Sequence, residues 1–123
     1  MPTPKLDNYL RTFRKTRGFT QREVAFLLGG HNKAKVSRYE NSKRVPSLET
    51  IFAYETILGI SAQELFAGIQ ERAQRRAIHR ARLLQRRLER QTRNPVLAQK
   101  VDFLRAVAKG GPEEPRYEEI PQA

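Results

Sequence analysis

Apolar residues in the first half of the chain recur at intervals of three and four positions, which is the spacing that one face of an α-helix requires. The first stripe predicts a helix from Leu6 to Arg17, and it consists of Leu6, Tyr9, Leu10 and Phe13. Gly18 follows directly and can adopt the left-handed conformation that ends a helix.

Residues that cap helix N-termini mark where the next helices begin. A side-chain oxygen at such a position accepts a backbone N–H of the first turn, and Glu23 completes a capping box with Thr20. Glycines and Pro46 interrupt the apolar pattern between these helices. The pattern therefore predicts five helices between Leu6 and Phe66, the last four starting after Thr20, Asn32, Ser47 and Ser61.

Beyond Phe66 the chain becomes rich in arginine, and a narrow apolar stripe continues through it. Nothing breaks a helix before Asn94, so we expect the fifth helix to continue as a long basic extension. Asn94 as cap and Pro95 as first helical residue predict one more helix, up to about Ala108. The stripe consists of Ile69, Ala73, Ala77, Ala81, Leu84 and Leu88.

Three interpretations of this stripe are open: a dimer seam, a hairpin partner for residues 95–108, or part of the first domain's own packing. The basic face could also lie along DNA and add affinity without selectivity. We favour a helical hairpin that supports self-association. Residues 110–123 carry three prolines and four glutamates, and this composition predicts a disordered acidic tail.

The overall charge narrows the class of partner. The chain has 123 residues, a net charge of +11 and a charged fraction of 30%. Such a surplus attracts polyanions, so nucleic acid is the first candidate and an acidic membrane surface the second. No segment resembles a membrane span or a signal peptide, so we expect a cytoplasmic, nucleoid-associated protein. Without cysteine and with two separated histidines, neither a metal nor another cofactor is expected.

Two short helices joined by a glycine turn inside a five-helix array have the arrangement of a helix-turn-helix. Ala25 and Gly29 are small where two helices must cross closely, and Val36 is apolar where the second helix must dock on the first. The exposed helix then begins with side chains that suit guanine edges, phosphates and thymine methyl groups. These side chains belong to Asn32, Lys33, Ala34 and Lys35.

Three segments, in this order, carry a family resemblance: RTFRKTRGFTQREVAFLLGG, KVSRYENSKRVPSLETI and LGISAQELF. From Leu6 to Phe66 the chain resembles the Cro and phage-repressor (Xre) class of DNA-binding domains. The resemblance implies an all-α fold, with a five-helix repressor-type helix-turn-helix domain at 1–66. The basic helical extension then occupies 67–109 and the acidic tail 110–123. One departure is GGHNK, which has one residue more than the commonest spacing.

The resemblance also implies roles for individual residues. Base reading falls on Lys33, Ala34, Ser37 and Arg38, to which we add Asn32 at the tip of the helix. Arg14 and Glu40 match a structural ion pair. Phosphate contacts fall on Gln21, Asn41, Lys43 and Arg44, and we assign the basic residues Arg22 and Lys35 to the same set. Phosphate contacts fix the register, whereas base contacts select the sequence.

The expected function is a sequence-specific transcriptional regulator, a repressor that binds an operator in double-stranded DNA as a homodimer. The alternatives are an antitoxin that controls its own operon and binds a partner protein through the extension, or a mobile-element accessory protein. No catalytic constellation is present, so we do not expect an enzyme. The aromatic residues at helical spacing are expected in the core: Phe13, Phe19, Phe26, Tyr39, Phe52, Tyr54 and Phe66.

Overall fold

The computed structural model describes residues 5–91 and 94–110. Within these ranges the chain is helical without strands, as predicted, and it forms two compact units that divide between Glu71 and Arg72. The described residues form seven helices: α1 (Leu10–Thr16), α2 (Gln21–Leu28), α3 (Lys33–Glu40), α4 (Leu48–Leu58), α5 (Ala62–Leu65), α6 (Ala67–Glu89) and α7 (Pro95–Ala108). The acidic tail predicted at 110–123 lies, apart from Gly110, outside the described residues.

The predicted caps set the helix starts. At five positions a side-chain oxygen accepts the backbone N–H three residues further on, which satisfies one of the unpaired donors of the first turn. At Thr20 the capping box is complete, because the Glu23 carboxylate also accepts the Thr20 backbone N–H at 2.8 Å. These caps confirm the predicted residues Thr20, Asn32, Ser47, Ser61 and Asn94.

The first helix begins later than the apolar stripe predicts. α1 starts at Leu10 rather than Leu6, and the Leu6 side chain is 59% exposed. The reason lies in two long-range contacts of the preceding segment. The Tyr9 N–H donates to the Leu65 carbonyl at 2.7 Å, and the Leu6 carbonyl accepts from the Gly68 N–H at 2.9 Å. Residues 6–9 therefore form hydrogen bonds with the segment that includes the end of α5, instead of forming a further turn of α1.

The same contacts correct the prediction of one continuous fifth helix. α5 ends at Leu65, and Phe66 has φ −119° and ψ 41°, outside helical geometry. The Leu65 carbonyl and the Gly68 N–H bond to the N-terminal segment, so the ladder is interrupted and α6 starts as a separate helix. A Cβ at Gly68 would overlap the Leu6 backbone, so glycine permits this close approach.

The core of the first unit brings α1 to α5 together. Burying each of its aliphatic side chains contributes about 1.5–3 kcal/mol. Tyr39 and Tyr54 meet edge to face, with ring centroids 6.2 Å apart. The Tyr54 hydroxyl has no hydrogen-bond partner among the described residues, and burial raises the pKa of Tyr54 well above 10.0. The core residues are Leu10, Val24, Ala25, Val36, Tyr39, Tyr54, Leu58, Leu65 and Phe66.

Two aromatic residues do not lie where helical spacing predicts. Phe26 is 84% exposed and Phe52 is 55% exposed. In α2 the buried positions are Val24 and Ala25, and the next residue in a helix points about 100° further round. An unbroken run of apolar residues cannot show which of its members faces the core. The other five aromatics are buried or packed against the core.

The second unit is a pair of helices with little core. The C-terminal part of α6 and α7 form a hairpin, in which Arg82 Nη2 donates to the Ala108 carbonyl at 2.9 Å. An exposed ion pair joins Arg105 and Glu89 at 3.3 Å. Among the described residues of this unit, the buried side chains are all small or aliphatic: Ala81, Leu97, Val101 and Ala108.

Candidate nucleic-acid interface

The turn between α2 and α3 depends on two glycines. Gly29 and Gly30 have φ of 74° and 72°, a conformation that side chains with a Cβ rarely adopt. We predicted Gly29 as a small residue at a close helix crossing, and this reason is wrong. A Cβ at Gly29 would meet nothing within 4 Å, so its backbone conformation accounts for the glycine, whereas Ala25 is buried between the helices as predicted.

His31 fastens this turn to α3. Its Nδ1 lies 3.1 Å from the Gly29 carbonyl oxygen, and its Nε2 lies 3.3 Å from the Tyr39 hydroxyl. An imidazole with its proton on Nδ1 satisfies both contacts, by donating to the carbonyl and accepting from the hydroxyl. The rings of His31 and Tyr39 also lie 5.9 Å apart. The sequence pattern did not predict this positioning contact.

α3 has a buried side and an exposed side. Val36 is fully buried and Tyr39 is 2% exposed, which fixes the rotation of the helix about its axis. Asn32 stands at the N-cap, where its Oδ1 accepts the Lys35 N–H at 2.8 Å. Among the residues assigned to base reading, Ser37 is half-buried and the others are exposed: Asn32, Lys33, Ala34 and Arg38.

The structure brings Arg14 and Glu40 together in a largely buried ion pair. Arg14 Nε lies 2.6 Å from Glu40 Oε2, and the two side chains are 11% and 2% exposed. Arg14 Nη1 also donates to the Phe19 carbonyl at 2.9 Å, and Gln21 Nε2 donates to Glu40 Oε1 at 3.1 Å. This network joins α1, the start of α2 and the end of α3, and it holds the Gln21 side chain at the N-terminus of α2.

The loop after α3 is tightly folded on the helix. The N–H groups of Lys43 and Arg44 donate to the Arg38 carbonyl at 2.9 and 3.3 Å, and Ser42 adopts φ 58°. These bonds hold the loop against the C-terminus of α3. The three residues of the loop that were assigned to phosphate contacts are all exposed: Asn41, Lys43 and Arg44.

Asn8 is a buried residue that stabilises the end of α3, a role that the sequence pattern did not predict. Its Nδ2 donates to the Tyr39 carbonyl at 2.9 Å and to Ser42 Oγ at 3.3 Å, and its Oδ1 accepts the Leu10 N–H. One side chain therefore joins the start of α1 to the end of α3. The available signal was an asparagine, a typical helix-capping residue, two positions before Leu10.

The remaining phosphate candidates lie on α2 and α3. Arg22 is exposed on α2, on a surface that it shares with Phe19, Phe26 and Leu27. Lys35 is half-buried in the first turn of α3. The exposed end of α3 and its loop thus carry several cations, while the Glu40 carboxylate at the end of α3 is paired with Arg14.

A short exposed helix, held on a second helix by a glycine turn and followed by a cationic loop, defines a helix-turn-helix DNA-binding domain. Residues 10–65, a little under half of the chain, match the family described as Helix-turn-helix. This segment is therefore a helix-turn-helix domain of the Xre/Cro type, as the resemblance predicted, and the match supports a role in DNA binding and transcription regulation.

No curated protein and no solved structure matches the chain significantly. None of the helices in the described ranges is long and apolar enough to cross a membrane. Within the same ranges, no group of three or more acidic or histidine side chains is arranged to hold a metal ion.

Proposed function

We propose that the chain is a repressor that reads an operator in the major groove with the exposed side of α3. The observation that carries the proposal is the support at both ends of this helix. His31, which precedes the helix, contacts the Tyr39 hydroxyl. At the C-terminal end, Arg14 pairs with Glu40 and Asn8 donates to the Tyr39 carbonyl. A reading helix fixed in this way presents its side chains to base edges without a large ordering cost on binding.

The proposed contacts divide between bases and phosphates. Arg38 and Lys33 donate to guanine O6 and N7, Ala34 contacts a thymine methyl group, and Ser37 and Asn32 offer further hydrogen bonds. Gln21, Arg22 and Lys35 contact phosphates from α2 and α3, and Asn41, Lys43 and Arg44 do so from the loop after α3. The second set fixes the register in which the first set reads.

We further propose that the protein binds as a homodimer through the hairpin. Leu84 and Leu88 of α6 face Phe103 and Leu104 of α7 across an open groove of about 420 Å³, and Phe103 is 59% exposed. A two-helix unit of this size buries too little apolar surface to be stable alone. A second hairpin packed on this groove supplies the missing core.

Selection of bound sequences from a random duplex library tests both parts of the proposal. A dimeric reader should enrich an inverted repeat with half-sites about 10–10.5 base pairs apart, or a multiple of that spacing. A library exposed to the double variant R38A/S37A is the control and should lose the motif. Failure of the protein to enrich any motif would contradict sequence reading, whereas a single half-site would contradict the dimer alone.

The exposed groove also favours one alternative function, an antitoxin that binds a partner protein through the hairpin and represses its own operon. Sedimentation of the isolated chain at micromolar concentration separates the two. A dimer supports the repressor described above, and a monomer whose groove remains open supports the alternative. Repression itself is tested by a reporter whose promoter overlaps the selected operator, because operator occupancy should lower its expression.

A further inference from the structure

The basic residues of α6 all lie on one side of the helix. At about 100° per residue, they fall within an arc of about 160° along about 22 Å of helix. The acidic residues of α6, Glu71 and Glu89, precede and follow this stretch and lie about 20° beyond the edge of the arc. We call this surface the basic face of α6, and it consists of Arg72, Arg75, Arg76, His79, Arg80, Arg82, Arg86 and Arg87.

Most of this charge is not used inside the protein. The side chains of Arg76, Arg80, Arg86 and Arg87 are exposed, and within the described ranges none of them forms an ion pair. A cluster of like charges on one helix destabilises the helix by mutual repulsion. A bound polyanion would remove that repulsion and would release counterions.

The side chains on the side of α6 opposite the basic face argue against a membrane as the partner. An interfacial helix needs large apolar side chains that enter the lipid, typically Trp, Phe or Leu. Along its first half, α6 offers Ala73, Ala77 and the half-buried Ile78 on that side. Further along, Ala81 is buried in the hairpin, while Leu84 and Leu88 line its groove. The apolar side therefore belongs to protein packing, and only the basic side is available to a polyanion.

We propose that the basic face of α6 is a second DNA-binding surface, which contacts the phosphates of duplex DNA without reading sequence. The choice of duplex DNA rests on the proposed function of the first unit. Duplex DNA carries one negative charge per about 1.7 Å of its axis, so 22 Å of duplex offers more phosphates than this face has cations. Contacts of this kind raise the affinity for operator and random sequences by the same factor.

The test uses the full chain and random duplex DNA, with binding measured over a range of salt concentrations. The variant R76Q/R80Q/R86Q/R87Q removes four cations from the face and keeps residues of good helix propensity. It should reduce the magnitude of the slope of log K against log salt by about 3.6 and weaken binding at least about tenfold at low salt. The variant with four lysines at the same positions should restore both values, because phosphate contacts require charge rather than guanidinium geometry.

A matched control removes the same charge elsewhere. The variant R11Q/K15Q/K100Q/K109Q has the same net charge but an intact basic face, and all four of its positions are exposed. If it weakens binding as much as the first variant does, net charge alone explains the effect and the proposal is overturned. Circular dichroism of both variants verifies that the helices are retained.

Further measurements separate this proposal from the proposed function and from other polyanions. The ratio of operator to random affinity should be unchanged in R76Q/R80Q/R86Q/R87Q. Loss of that ratio would show that α6 takes part in reading and would overturn the inference, whereas wild-type protein without any operator preference would contradict only the proposed function. Tighter binding to duplex RNA, or to vesicles with 30% phosphatidylserine, than to random DNA would also overturn it.

Discussion

The two units of the chain use arginine in opposite ways. In the first unit Arg14 is largely buried, paired with Glu40 at 2.6 Å and bonded to a backbone carbonyl. In the second unit Arg76, Arg80 and Arg87 are exposed along one side of α6. A buried, fully paired arginine fixes the geometry of its neighbours, whereas exposed arginines offer charge to a partner. The arginine of the first unit therefore stabilises the fold, whereas those of the second unit are available to attract a negatively charged partner.

The apolar residues show the same difference. The first unit closes a core around Leu10, Val36 and Leu58, each at most 1% exposed. The second unit leaves Leu84 at 41% and Phe103 at 59% exposure. An exposed apolar groove of this kind is typical of a surface that binds another chain, which is the role proposed above for the hairpin. We thus expect the first unit to be stable alone and the second to depend on association.

Separating the units should give the largest effect. A fragment of residues 1–71 is the whole first unit, including Gly68, which bonds to Leu6, and Ile69, which packs on the core. It should unfold in one cooperative transition. A fragment of residues 72–123 should be unfolded at low concentration, because two helices with this little core are below the size that folds alone. Circular dichroism against concentration measures both, and a 72–123 fragment that is helical and monomeric would contradict the comparison.

The next largest effect is expected at the buried ion pair. Glu40→Ala leaves the Arg14 charge buried without its partner and should lower the free energy of unfolding by about 3–5 kcal/mol. Its matched control is Arg105→Ala in the second unit, where the pair with Glu89 is exposed and should be worth at most about 1 kcal/mol. Urea unfolding of the full chain gives both values. Similar losses of unfolding free energy in the two variants would contradict the claim that the buried ion pair of the first unit matters more than the exposed ion pair of the second.

A smaller loss of stability is expected where Gly68 contacts the N-terminal segment of the first unit. In Gly68→Ala the new methyl group overlaps the Leu6 backbone, so residues 5–9 must shift, and we expect a loss of about 1–3 kcal/mol. Ala73→Ser is a suitable control on the exposed part of α6. Chemical denaturation checks the difference, and an unchanged stability of Gly68→Ala would show that the contact with the N-terminal segment is dispensable.

The smallest effect is expected at Tyr54. Tyr54→Phe removes a buried hydroxyl that has no partner among the described residues and should increase stability by about 1 kcal/mol. Because burial raises the pKa of Tyr54 in the folded state, ionisation favours the unfolded chain, and stability should fall as the pH rises above about 10. Tyr54→Phe should reduce this fall, and thermal melts at pH 8 and 10.5 measure it.

Much of the fold follows from short-range signals in the sequence. A cap acts on the three residues that follow it, so Thr20, Asn32 and Ser47 predict helix starts that the structure confirms. The order of the motifs was enough to predict the type of DNA-binding domain. In the candidate site, the pairing of Arg14 with Glu40 follows from the family resemblance, because no local rule brings residues 26 positions apart together.

What the sequence did not predict depends on contacts between distant segments. The start of α1 and the break at Phe66 both result from backbone bonds between residues 6–9 and 65–68. The exposure of Phe26 depends on which side of α2 the other helices cover. Asn8 and His31 support α3 through bonds to Tyr39, and a helical stripe contains no information about such bonds.

The most direct test of the account compares Arg38→Ala with Lys43→Ala on the selected operator and on random duplex DNA. Arg38→Ala should lose about 1–3 kcal/mol of the discrimination between the two, because its base contacts are specific. Lys43→Ala should weaken binding to both equally and lower the salt slope by about 1. Equal losses on operator and random DNA in both variants would contradict the claim that α3 reads the sequence.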